Sequence, residues 1–218
     1  VVVSQFMLTF GRDPNAKVTK KSKSPLSFHP IALIFGLLSF VSYLVEGAVG
    51  DWSALYLFED KGIVIEEAVM GVMLFNGTMC IGRLLGNRLG KHLTSKQVVV
   101  GGYLLGSIAM GLIVFLPGHA SMYTYLLLGI SLAMIVPNLF SAMGEQNVIP
   151  MTQAVATSTM LGYMGILMGP ALIGFIAHGT SLTVAFIVLT TLLVVSAGIG
   201  KYAYHLMSKD CGLSEEQI

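Results

Sequence analysis

Six stretches of this chain are long and apolar enough to cross a lipid bilayer, and nothing else in the sequence limits the fold as much. A helix needs ~20 mostly apolar residues to traverse ~30 Å of hydrocarbon at 1.5 Å per residue. The stretches run from about Ile31 to Phe58, Ala68 to Leu89, Val98 to Leu116, Tyr123 to Met143, Ala154 to Ala177 and Leu182 to Ile199, the last continuing into Tyr204. In hydrocarbon the backbone must satisfy its own hydrogen bonds, which makes each stretch a helix. Hydrophobic types make up 55% of the chain and charged types 11%, against about 25% charged in a soluble domain. So few charges cannot cover a globular surface. That excludes an ordinary soluble enzyme, a disordered chain and a nucleic-acid binder with a basic face. The expected fold class is an all-α membrane protein with six transmembrane helices.

Charge placement orients the spans. Arg12, Lys17, Lys20, Lys21 and Lys23 precede the first span, Arg88, Lys91 and Lys96 follow the second, and Lys201 and Lys209 lie at the end of the sixth. The opposite side offers Lys61 beside Glu59, Asp60, Glu66 and Glu67. The positive-inside rule places the first group in the cytoplasm, as expected of a multi-pass protein of the cell inner membrane. An even number of spans puts both ends on that side. Residues 1–10 are apolar but reach only ~15 Å as a helix, and they read as the end of a preceding transmembrane helix. Residues 11–30, polar and rich in Lys and Ser, read as a cytoplasmic interdomain linker. A six-helix bundle is expected over 31–207 and a cytoplasmic tail over 208–218. On this reading the chain is part of a longer protein, and a missing N-terminal half is its partner. Cys80 and Cys211 lie too far apart in character and sequence to imply a disulfide.

Glycines recur four apart inside the spans: Gly82, Gly86 and Gly90, then Gly102 and Gly106, then Gly165 and Gly169 ahead of Pro170. Such stripes let another helix backbone approach closely. With Pro137 and Pro170 they suit a bundle whose helices rock, although each stripe alone is explained by tight packing. Polar groups at membrane depth cost energy and are the functional candidates. Glu46 is a substrate or proton group in a cavity, or the structural partner of a polar group on a missing helix. Gly47 and Gly50 behind it predict a bend or an unwound turn, as in the broken helices of transporters. Asp51 is a further candidate for the substrate or proton cavity, but it is nearer the outer interface, where a solvated gate or helix-end role fits equally. Trp52 and Tyr56 read as interface anchors. Asn76 and Asn138 suit a hydrogen bond to a ligand or to a neighbouring helix, and Tyr163 suits a cavity wall or packing. The five histidines fall in links or tails without ligand spacing. No metal, cofactor or catalytic site is therefore expected.

The turn after the second span reads Gly82-Arg-Leu-Leu-Gly86-Asn-Arg88-Leu-Gly90-Lys91. It resembles the cytoplasmic loop motif of the major facilitator superfamily, with Asn87 in place of the acid and Arg83 where a leading glycine would stand. The stretches from Glu46 to Tyr56 and from Leu161 to Gly174 resemble the superfamily's bacterial branch of MosC-like and YbjJ-like proteins. The resemblance implies twelve helices in two six-helix halves, each built of inverted three-helix repeats, with this chain as the C-terminal half. It implies a secondary active transporter that moves a small solute by alternating access. The solute site would lie near the midplane, with Glu46 as the carrier if protons drive the cycle. It also implies cytoplasmic gate residues at Arg83, Asn87, Arg88, Gly90, Lys91 and Glu145. The expected partners are the lipid bilayer, a small-molecule solute and the other half, with no nucleic acid. A non-transporting membrane sensor or scaffold subunit is the competing class.

Overall fold

The computed structural model describes Leu26 and residues 29–89, 93–146 and 148–211, with the side chains of 87–89, 210 and 211 excepted. Seven helices are described: α1 (Pro30–Glu59), α2 (Ile65–Leu89), α3 (Ser95–Phe115), α4 (Gly118–Ala133), α5 (Ile135–Glu145), α6 (Met151–Gly179) and α7 (Leu182–Cys211). They form six membrane-length apolar spans, because α4 and α5 together make the fourth. Residues 1–10 and 212–218, and all of the linker except Leu26, His29 and Pro30, lie outside the described residues.

Local chemistry sets the starts. Pro30 at the first position of α1 has no N–H to leave unpaired, and the His29 ring accepts from the Ile31 N–H at 3.3 Å. A capping box starts α3: the Thr94 hydroxyl accepts from the Gln97 N–H, and the Gln97 side chain accepts from the Thr94 N–H. The α1–α2 turn passes through Gly62 at φ +68°, a left-handed conformation that favours glycine.

The pairing of the spans follows a repeat. The largest contacts join α1 to α6, α2 to α4, and α3 to α7; α3 also meets α4, and α1 meets α7. Numbering the spans one to six, these are 1·5, 2·4, 3·6, 3·4 and 1·6. Exchanging spans one, two and three with four, five and six maps this set onto itself. Spans one and four cross in opposite directions, so these pairings fit two inverted three-helix units, while the contacts of span one with span two and of span five with span six have no counterpart of equal size.

Glycine seams bring the paired helices into close contact. A Cβ on Gly165 would strike the Phe40 carbonyl, and one on Gly169 the Leu44 carbonyl. One on Gly47 would lie 2.8 Å from the Ile166 carbonyl. That oxygen is the one Pro170 leaves without its usual i+4 N–H donor, so the α1 backbone occupies the space beside an acceptor the helix cannot use. On α2, Gly82 takes the Ala133 side chain and Gly86 the Met134 side chain. On α3, Gly102 faces the Ser131 carbonyl. Each of the three sequence stripes therefore seats a neighbouring span.

Two expectations are corrected. The first span does not bend or unwind at Gly47 and Gly50: α1 is continuous over 30 residues. Gly47 is used for close approach, and a Cβ on Gly50 would meet nothing within 4 Å. The interruption falls in the fourth span, at Met134. Pro137 cannot donate to the Ala133 carbonyl, and both the backbone and the side-chain N–H of Asn138 return to the Met134 carbonyl, at 3.2 and 2.8 Å. Finally, Trp52 and Tyr56 are not headgroup anchors. The Trp52 indole donates to the Pro170 carbonyl at 2.9 Å and lies against Gly174. Tyr56 is fully buried and stacks on Phe186, with centroids 4.2 Å apart.

Candidate functional site

Depth along the helices brings two charges together inside the membrane span. Glu46 lies 13 residues before Glu59, the C-terminal end of α1, which is ~20 Å along the axis. Arg83 lies 18 residues after Ile65, the adjoining N-terminal end of α2, or ~27 Å. The long guanidinium arm closes the difference of about 7 Å by reaching outward. Its Nη2 sits 3.2 Å from Glu46 Oε2 and 3.5 Å from Oε1. An unpaired ion near a helix centre costs roughly 2.5–3.5 kcal/mol on the insertion scale, so opposite charges at this depth pair. The side chains are 23% (Glu46) and 44% (Arg83) exposed, so the pair lies on an open face of the bundle and not in its core.

Aromatic groups extend this polar strip across the next helix. Tyr43 stands three residues before Glu46, on the same side of α1. Its ring stacks on Tyr163 of α6, with centroids 6.3 Å apart and planes 7° apart. Tyr163 is 63% exposed. Asn76 is two turns before Arg83, on the same exposed face of α2, and its amide donates to the Val72 carbonyl at 3.0 Å. Arg83, Glu46, Tyr43 and Tyr163 thus line one surface across α2, α1 and α6. Together they offer a carboxylate, a guanidinium, two phenols and a ring face.

The other anticipated residues lie elsewhere. Asp51 is five residues past Glu46, about 140° further round α1, and exposed. The partly buried Asn138 turns its amide back onto its own helix. Glu145 is exposed at the last position of α5. Gly90 and Lys91 lie outside the described residues, as do the side chains of Asn87 and Arg88. Tyr43 was not anticipated, and Arg83 was read as a gate group with no partner named. The i−3 spacing of Tyr43 to Glu46 and the Asn76–Arg83 spacing of seven were the available signals.

The links at the Glu59 end of the bundle are tied down separately. The Lys61 ammonium donates to the Val114 carbonyl at 2.6 Å and sits 5.3 Å above the Tyr56 ring. Burial pushes its pKa below the usual lysine value, opposed in part by Asp60. The Thr183 hydroxyl donates to Asp60 at 2.8 Å, and His119 pairs with Glu67 at 2.6 Å.

No family model matches the chain. An uncharacterised MFS-type transporter of Yersinia pestis is 41% identical over 168 residues, covering 76% of this chain and 43% of that protein. Membrane protein MosC of Rhizobium meliloti is 30% identical over 170 residues, covering 77% and 42%. The chain therefore spans less than half the length of these curated relatives. Among solved structures, the Escherichia coli fucose:proton symporter FucP superposes with a TM-score of 0.76 at 15% identity, over 93% of this chain and 52% of that one. With its six spans and self-mapping pairing, the chain is a relative of the MFS-type transporters and carries one six-helix half of the major facilitator fold.

Proposed function

We propose that the chain is the C-terminal half of a secondary transporter that moves a small solute by alternating access. The observation that carries this reading is the Glu46–Arg83 ion pair at membrane depth, on an open face beside the Tyr43–Tyr163 stack. Charges placed there cost stability, and structural integrity alone does not require them. This face forms the chain's wall of the solute site, with the second half opposite. Glu46 is assigned to proton coupling, because it can exchange Arg83 for a proton. Asn87, Arg88, Gly90 and Lys91, with Glu145, are assigned to the inner gate. The lysine and arginine bias supports a cytoplasmic linker and tail in the inner membrane.

The test uses vesicles containing the full-length protein and a panel of small neutral and charged solutes under an inward proton gradient. For the solute that accumulates, Glu46→Gln abolishes gradient-driven uptake and leaves counterflow exchange, while Arg83→Gln weakens both. Flux no greater than in empty vesicles across the panel overturns the transporter reading. Gradient-driven uptake that survives in Glu46→Gln overturns the role of Glu46 alone.

A further inference from the structure

Away from the Glu46 face, two adjoining grooves open beside α3. One, of about 670 Å³, is lined by Thr94, Lys96, Gln97, Val100 and Leu104 of the α3 segment and by Lys201 of α7. The other, of about 360 Å³, runs between α2, α3 and α4 over Val98, Leu105, Ile130 and Met134 and is almost wholly apolar. Gln97 and Gly101 line both, so the grooves adjoin along one ridge of α3. Gly101 keeps the junction open, since a Cβ there would meet nothing within 4 Å. Both volumes fall within the roughly 300–1,000 Å³ of small-molecule sites.

The two lysines reach this groove from neighbouring antiparallel helices at the same membrane level. Lys96 stands 19 residues before Phe115, the far end of α3, and Lys201 stands 19 residues after Leu182, the far end of α7. Each distance is ~28 Å along the axis, close to the ~30 Å thickness of the hydrocarbon. Packing fixes the register, because Gly200 lies against Val99 and Val100. Both ammonium groups therefore emerge at the boundary between acyl chains and headgroups, on the side that the charge bias reads as cytoplasmic. Among the described residues, no acidic side chain lines either groove. A water-soluble anion would have no use for the apolar groove, and an uncharged lipid none for the paired lysines.

We propose that this surface is a binding site for an anionic phospholipid. Its phosphate lies between Lys96 and Lys201, the Thr94 and Gln97 end of the groove faces the headgroup, and one acyl chain lies in the apolar groove between α2, α3 and α4. The site is independent of the solute site and does not rest on the transport reading. Basic pockets between transmembrane helices at the cytoplasmic side bind such headgroups through shared charge and shape.

Native mass spectrometry of the full-length protein, titrated with phosphatidylglycerol or phosphatidylcholine, tests this. The expected result is preferential retention of phosphatidylglycerol. Its affinity should fall about fivefold in Lys96→Gln or Lys201→Gln and roughly 25-fold in the double variant. Lys209→Gln removes the same charge from an exposed position further along α7 and should change little. Thermal unfolding without added lipid confirms that each variant is folded. Soluble glycerol phosphate should not compete, which separates a lipid site from a free-phosphate site. Equal binding of the two lipids, an equal loss in Lys209→Gln, or displacement by glycerol phosphate overturns the proposal.

Discussion

Adding one methyl group to α6 at Gly165 should force α1 and α6 apart. The new Cβ would strike the carbonyl oxygen of Phe40, which belongs to helix backbone and cannot rotate away. An ordinary carbon–oxygen approach is ~3.3–3.6 Å, so the axes must separate by about 1 Å at this level. Overpacking of this kind costs ~1–3 kcal/mol. The better helix propensity of alanine returns up to ~1 kcal/mol. The net loss for Gly165→Ala is therefore about 1–2 kcal/mol, or a fall of ~2–8 °C in Tm. Gly169→Ala faces the Leu44 carbonyl and should behave alike. Gly50→Ala meets nothing and should be neutral or slightly stabilising. The double variant discriminates further: one separation of the helices relieves both clashes, so its loss should be smaller than the sum of the two. Thermal unfolding of the purified full-length protein in detergent measures all four. If Gly165→Ala is tolerated as well as Gly50→Ala, or if the double variant is strictly additive, the close-seam account fails.

Four other outcomes follow from the contacts described. Glu46→Gln or Arg83→Gln alone leaves a bare ion on the open face and should cost about 1–3 kcal/mol, between exposed and buried pairs; Glu46→Gln/Arg83→Gln should unfold at a higher temperature than Arg83→Gln, and a lower one would contradict the pairing. Gln146 is buried, accepts from Val148 and Ile149 N–H and donates to the Met143 and Ile149 carbonyls; Gln146→Leu should cost ~2–4 kcal/mol, and an unchanged Tm would show that the α5–α6 link is not held this way. Lys61 binds protons less readily folded than unfolded, so its contribution to stability rises as pH climbs toward 10.5, the unperturbed value. Lys61→Met should flatten that rise in unfolding scans between pH 8 and 10.5, and an identical slope would refute the buried ammonium.

The spans were legible because burial in lipid demands long apolar runs, and six of them are visible without any knowledge of how they pack. The glycine stripes were legible for a related reason: Gly82, Gly102 and Gly165 each mark a face where a neighbouring helix comes close. Partners were not legible. That Arg83 meets Glu46 depends on the depth and rotation of two helices at once, and no single segment carries that information. The break was misassigned because Gly47 and Gly50 resemble flexible points until a neighbouring helix is placed against the first of them. Trp52 misled for the opposite reason: an amphipathic ring near a helix end suits an interface, but here its N–H finds a carbonyl inside the bundle.

Trp52 has an optical consequence. It is the single tryptophan of the chain, and its indole bridges α1 and α6 through the Pro170 carbonyl. Among this chain's residues, indole fluorescence has one source, and that source is fastened to the seam joining the first and fifth spans. Any rearrangement that parts those two spans would register as a change in colour and brightness, with no dye attached and no residue altered.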